Sequence, residues 1–181
     1  MAEFTSLYSG SSGNCSVVRC GRRYLLVDMG KSCRTTAAAL KELDLAVSDC
    51  DGILVTHEHS DHVKGLGVFL SRFRVPVYGA ADTLDFLLQN GILPPDCDAQ
   101  ALDTASPQEL GAFGVRMFPT SHDVPCVGYR IQTPDGRTMI LAETFGRRLT
   151  AYDIASDGTL ANRRLWADLD NIAPDGICLD A

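Results

Sequence analysis

Four histidines occur in 181 residues, and three of them fall within Thr56-His57-Glu58-His59-Ser60-Asp61-His62. Imidazole is the usual ligand for zinc-like ions, and a carboxylate suits a harder first-row metal. On extended backbone alternate side chains share a face, so His57 and His59 can converge on one ion. A loop following them turns Asp61 and His62 toward a second position. The fourth histidine, His122, follows a separate apolar run in Ser121-His122-Asp123 and is the natural third imidazole for the first ion. A single histidine in such a loop reads as a surface or core residue. Three with an aspartate in HxHxDH spacing read as metal ligands.

These side chains need a rigid frame. The run Gly52 to Thr56 is almost wholly apolar, as expected of a buried strand, and His57 begins just beyond its end. The spacing of Val63, Leu66, Phe69, Leu70 and Phe73 predicts a helix over His62 to Phe73, with Gly65 and Gly67 as weak points. Upstream, Glu3 to Ser9, Cys15 to Cys20 and Arg23 to Asp28 read as strands, and Ser32 to Leu43 as a helix that Ser32 caps. Downstream, the pattern predicts strands over Val75 to Tyr78, Leu110 to Phe118, Val127 to Thr133 and Thr138 to Ala142, with a helix over Thr83 to Gln89. The fold class is mixed α/β, sheets covered by helices. Beyond about residue 142 no helix is apparent. Arg147 to Ile154 and Leu160 to Leu169 read as two strands, and a third run, Ile177 to Leu179, is cut by the chain end.

Composition sets the bounds. Sixteen basic against 23 acidic residues leave a net charge of -7, which supplies no broad positive field for nucleic acid or a membrane surface, although a local basic groove remains compatible. Seven cysteines without a CxxC pair do not form a disulfide framework or a zinc knuckle, and read as small buried residues in a reducing compartment. The first residues carry no basic region followed by an apolar run. No stretch approaches the roughly 18 apolar residues of a membrane span. The expectation is a cytoplasmic protein with no membrane partner and an open oligomeric state.

Three segments together carry a family resemblance: Ser9-Gly10-Ser11-Ser12-Gly13-Asn14-Cys15, Leu26-Val27-Asp28-Met29-Gly30, and Ile53 through Leu66 with the histidine cluster at its centre. Over about residues 4 to 142 the chain resembles the metallo-β-lactamase-fold hydrolases, and within them the YycJ-type branch. The resemblance implies an αββα sandwich with two metals at the sheet edge, Zn2+ or also Mn2+, and a metal-bound hydroxide as nucleophile. It implies that His57, His59 and His122 hold the first metal, and Asp61 and His62 the second. Asp28 would then orient a ligand by a hydrogen bond, as imidazole ligands commonly require, and it also suits a cap for the turn at Gly30. Because the branch resembles nucleases, the implied chemistry is phosphodiester hydrolysis with nucleic acid as substrate, Asp61 orienting or deprotonating the attacking water.

The departures are specific. Where the family carries a bridging Asp, this chain has Glu143-Thr144-Phe145-Gly146. Thr144 is a poor ligand, and Glu143 would point to the opposite face of a strand. A final His ligand is expected, yet no His follows His122, so the second metal keeps two protein ligands. Residues 141 to 181 resemble instead a fragment of the regucalcin/gluconolactonase β-propellers, whose metal-binding Asp falls on Asp175. One blade cannot assemble that site, and Asp175 reads as a turn residue before Gly176. The expected organisation is a truncated sandwich, residues 1–142, followed by a propeller-like tail, 143–181. Two other functions compete with the hydrolase: a catalytically impaired metal-binding remnant, and a lactonase-like sugar-ester hydrolase in which the tail is the working part.

Overall fold

Alternation along the central strands decides where the layers lie. The computed structural model describes residues 2–120, 122–136, 138–141, 148–154 and 160–168. Strands β1 (Ala2–Tyr8), β2 (Cys15–Cys20) and β3 (Arg23–Val27) form an antiparallel meander. Strands β4 (Cys50–Leu54), β5 (Val77–Gly79) and β6 (Ala99–Ala101) extend it in parallel, giving one six-stranded sheet. On β3, Tyr24 and Leu26 face one core while Leu25 and Val27 face another; beside them Ile53 and Val55 oppose Leu54 in the same way. Both faces of these strands are buried, which is why they read as unbroken apolar runs.

The first core lies beneath helices α1 (Cys33–Glu42), α2 (Ser60–Val63), α3 (Leu66–Leu70) and α4 (Ala81–Gln89), through Leu40, Val63, Leu66, Phe69, Leu84 and Leu87. Ser32 caps α1, its Oγ accepting from the Thr35 N–H at 3.2 Å. The second core is closed by an antiparallel sheet of β7 (Gln108–Leu110), β8 (Phe113–Thr120), β9 (Cys126–Gln132) and β10 (Thr138–Leu141), ordered β10-β9-β8-β7. Phe113, Val115, Met117, Tyr129 and Ile131 fill it. Two bonds fasten this sheet beneath the histidine loop: the Tyr129 hydroxyl donates to the Val55 carbonyl at 2.5 Å, and the Val127 N–H to the Thr56 carbonyl at 3.0 Å. Among the described residues the layers run helix, sheet, sheet. The expected fourth layer, helices on the outer face of the second sheet, is not among them.

Three elements depart from expectation. The helix predicted over His62 to Phe73 is two short helices, because the Gly65 N–H donates to the Met29 carbonyl at 2.8 Å and so binds the β3–α1 loop. The strand predicted over Leu110 to Phe118 folds back as the hairpin β7–β8, and the buried Asp51 carboxylate holds its turn by accepting from the Ala112 N–H at 3.1 Å. Strand β6 carries no apolar signal: it is a short, mostly exposed edge. Further along, β11 (Arg148–Ile154) and β12 (Leu160–Asp168) pair antiparallel in a separate two-stranded sheet. The turn at Ser156 to Gly158 and the run Ile177 to Leu179 lie outside the described residues. Cys15, Cys33 and Cys50 are buried and free of disulfides, and Cys126 is buried. No helix of the described residues is long and apolar enough to cross a membrane.

Candidate metal centre

Strand β4 delivers Val55 and Thr56 to the sheet's carboxyl edge, where the parallel strands end and the chain turns into α2. His57 is buried there, at 1% exposure. His59 takes the extended N-cap conformation of α2 (φ -62°, ψ 144°), and its carbonyl accepts from the His62 N–H at 2.8 Å, so one tight turn carries His59, Asp61 and His62. His122 arrives from the other sheet, in the loop between β8 and β9. The ligand nitrogens of His57, His59 and His122 all lie within 4.8 Å of one another. The His57 and His122 ring centroids are 4.3 Å apart, and those of His57 and His62 4.1 Å.

Asp28 organises the buried half. It sits at the end of β3 in the left-handed region (φ 60°), a conformation Asp tolerates better than most residues. Its Oδ1 accepts from the Thr56 N–H at 2.9 Å, and its Oδ2 from the Thr56 hydroxyl at 2.8 Å. The same Oδ2 lies 2.9 Å from His62 Nδ1. A carboxylate only accepts here, so His62 carries its proton on Nδ1 and presents Nε2 as a lone pair. The Thr56 hydroxyl, its hydrogen spent on Asp28, accepts from His57 Nδ1 at 3.0 Å. His57 therefore also offers Nε2. One carboxylate sets the tautomers of two imidazoles, one directly and one through a hydroxyl.

Burial first, and then the neighbouring His62, His122 and His59 rings, push the His57 imidazole down to about 3. A neutral imidazole is the form that ligates metal. Three neutral-capable nitrogens converging from two sheets, with a carboxylate and a fourth imidazole alongside, suit a divalent ion. Tetrahedral ligands at ~2.1 Å from one ion lie roughly 3.5 Å apart, inside the 4.8 Å limit on these nitrogens.

Asp61 lies with its Oδ2 3.5 Å from His62 Nε2. Predicted site residues His57, His59, Asp61, His62, His122 and Asp28 are thus gathered at one edge. Thr144 and Glu143, at the bridging position, and Asp175 lie outside the described residues. Three neighbours carry no role in the sequence reading: Thr56, the relay to His57; Asn14, against Asp61 and His62; and Asp123, whose carboxylate touches His122 Nδ1 and lies 3.6 Å from His59 Nε2. For Asp123 the only available signal was its place directly after His122.

The sequence model of the Metallo-beta-lactamase superfamily matches residues 8–159. Among curated proteins, the chain is 40% identical over 124 residues to the exodeoxyribonuclease YycJ of Bacillus anthracis, covering 67% of this chain and 46% of that protein. It is 30% identical over 145 residues to the exodeoxyribonuclease WalJ of Streptococcus pneumoniae (strain D39), covering 78% and 54%. The chain thus spans about half the length of these curated relatives. Among solved structures, the metallo-beta-lactamase fold protein YhfI from Bacillus subtilis superposes with a TM-score of 0.61 at 22% identity, over 76% of this chain and 60% of that one.

Proposed function

The chain belongs to the Metallo-beta-lactamase superfamily, and from that premise we propose that it is a metal-dependent hydrolase of phosphodiesters, with DNA as the substrate class. The observation that carries the reading is the convergence of His57, His59 and His122 within 4.8 Å, flanked by Asp61 and His62. The exodeoxyribonuclease names of the relatives favour a nucleic-acid phosphodiester over other esters. Residues His57, His59 and His122 hold a first divalent ion, and Asp61 and His62 a second, zinc in both or manganese. Bound there, such ions lower the pKa of a water toward about 7 and polarise the scissile phosphoryl group.

The chain's own groups do the rest. Asp28 and Thr56 keep Nε2 of His62 and His57 unprotonated and aimed at the edge of the sheet. Asp61 orients the attacking water and accepts its proton as the new P–O bond forms; the proton then leaves with the departing alkoxide. The burial of His57 keeps bulk water from the inner wall of the site.

For residues 143–181 we propose the propeller-like reading, in which the tail is a separate all-β unit that supplies no catalytic group. Its support is that β11 and β12 pair with each other and stand apart from both sheets. The family match runs on to residue 159 and so takes in β11.

The test is nuclease activity of the purified chain on 5′- and 3′-labelled DNA, after metal removal and with Zn2+ or Mn2+ restored. Cleavage that returns with metal and is lost in His57→Ala is expected. Stoichiometric metal binding without cleavage of any phosphodiester would select the impaired remnant, and lactone turnover would select the sugar-ester hydrolase.

A further inference from the structure

The glycine–serine loop between β1 and β2 brings a lysine to the rim of the metal centre. Backbone bonds seat the loop: the Asn14 N–H donates to the Asp61 carbonyl at 2.7 Å, and the Asn14 carbonyl accepts from the Gly30 N–H at 2.8 Å. Two glycines allow the close approach. A Cβ on Gly13 (φ +146°) would meet the Gly30 carbonyl oxygen at 2.7 Å, and one on Gly30 the Asp61 carbonyl oxygen at 1.6 Å. Ser12 stands two residues before Asn14, and Lys31 directly follows Gly30. Each is therefore within about 7 Å of extended chain of backbone that touches Asp61.

Lys31 is pinned in place. Its Nζ donates to the Ser12 hydroxyl at 2.7 Å and stands 5.8 Å from the centroid of the Tyr8 ring. Its stem packs so closely on Gly13 that a Cβ there would meet Lys31 Cδ at 2.8 Å. None of these contacts neutralises the ammonium, and the ion pairs among the described residues do not include it. Its place is also a poor one for a cation, just before Ser32, the N-cap of α1, whose first turn holds no acidic residue. Arg34, exposed in that turn, adds a second positive charge. Ser12 accepts from Lys31, so its own hydroxyl hydrogen remains to donate, as do two hydrogens of the ammonium. In a chain of net charge -7, a lysine held this way is arranged for an anion from outside the chain.

Resting on the phosphodiester reading of the metal centre, we propose that Lys31 and Ser12 clamp a backbone phosphate of the DNA strand one or two nucleotides from the bond that is cut. A strand advances ~3.4 Å per nucleotide along a duplex, so a phosphate two steps from the scissile one reaches the pair. Lys31 meets its charge and the Ser12 hydroxyl donates to a second oxygen. The clamp reads no base; it fixes the register of the strand in the site.

Fluorescence anisotropy of a labelled single strand with the metal-free full chain, over a series of salt concentrations, measures affinity without cleavage. Lys31→Gln should weaken binding roughly 3- to 10-fold, as loss of an exposed charge pair with its hydrogen bond does. It should also flatten the slope of log affinity against log salt by about 0.7, the share of one phosphate contact on a single strand. Lys31→Arg keeps the slope, and Lys41→Gln, the same charge change in the last turn of α1, matches the parent. Equal losses in Lys31→Gln and Lys41→Gln overturn the clamp.

A parent that binds no DNA overturns the phosphodiester reading and the clamp together, whereas a parent that binds, with Lys31→Gln unchanged, overturns the clamp alone. A second readout needs no variant and serves equally if Lys31→Gln does not fold. Neutral methylphosphonate linkages, placed one at a time in DNA cleaved by the Zn2+-loaded parent, should lower kcat/KM at the first or second linkage from the cut bond. No loss at either linkage refutes the clamp.

Discussion

The two sides of the histidine cluster are built differently. On the inner side, His57 and His62 are 1% and 3% exposed, and both are tied to Asp28, His57 through Thr56. On the outer side, His59 and Asp123 have side chains 36% and 62% exposed, and their contact spans 3.6 Å. The inner side is organised before an ion arrives, since its tautomers are set by a buried carboxylate fixed at a strand end. The outer side comes from a helix N-cap and an inter-strand loop, and settles on an ion more than it awaits one. The first should therefore govern stability and ligand orientation together, while the second governs affinity alone.

The sharpest way to break this contrast is Asp28→Ala. It strands the Thr56 N–H and hydroxyl and the His62 Nδ1–H in a dry site at once, and breaking a buried charged network of this kind costs about 3–5 kcal/mol. For a chain of this size that is a fall of roughly 10 °C in the melting temperature of the metal-free protein, read by near-UV circular dichroism. Metal binding should be lost with it. A melting temperature within about 2 °C of the parent would mean that the inner side is not preorganised by Asp28.

Next in size is the pair His57→Ala and His59→Ala. Each removes one imidazole from the first position, so each should weaken the first ion at least about 100-fold, more than loss of an orienting group does. They should part in the metal-free protein. His57→Ala leaves a cavity at the sheet edge and lowers the melting temperature by several degrees without unfolding the chain; His59→Ala, at a half-exposed N-cap, leaves it nearly unchanged. Calorimetric titration with Zn2+ and thermal melts of the same samples test both halves. A His57→Ala chain unfolded by circular dichroism would make the site structural instead.

What could be read in advance follows the range of the interactions. The convergence of His57, His59 and His122 was legible because histidine is rare in this chain and the HxHxDH spacing is local. The buried strands β3 and β4 were legible because burial on both faces leaves a continuous apolar run. The break at Gly65 was legible only as a weak point, since Leu66, Phe69 and Leu70 keep helical spacing across it and the bond that fixes the interruption comes from Met29, some 36 residues earlier in the chain. Thr56, Asn14 and Asp123 escaped for the same reason: each is an ordinary polar residue until a distant segment supplies its partner. Asp28 came only through the family resemblance, because nothing in its local sequence announces that two imidazoles will depend on it. The expectations for Thr144 and Asp175 fall outside the described residues.

The smallest expected effect belongs to Asp123, and it sharpens the contrast from the outer side. Its carboxylate touches His122 Nδ1 and lies near His59 Nε2, so it can steer two ligands of the first position from one place. Yet it is largely exposed, and an exposed ion pair is worth little to the fold. Asp123→Asn keeps the shape and removes the charge, so the metal-free melting temperature should not move. Affinity for the first ion should fall about tenfold, the lower end of what an orienting partner contributes. Because the contact is solvent-exposed, that loss should shrink as ionic strength rises and screens the carboxylate in the parent. Zn2+ titrations of parent and Asp123→Asn at low and high salt measure this directly. Equal affinities at low salt would leave His59 and His122 oriented by the backbone alone. A hundredfold loss with a lowered melting temperature would place Asp123 with the inner group and dissolve the distinction between the two sides.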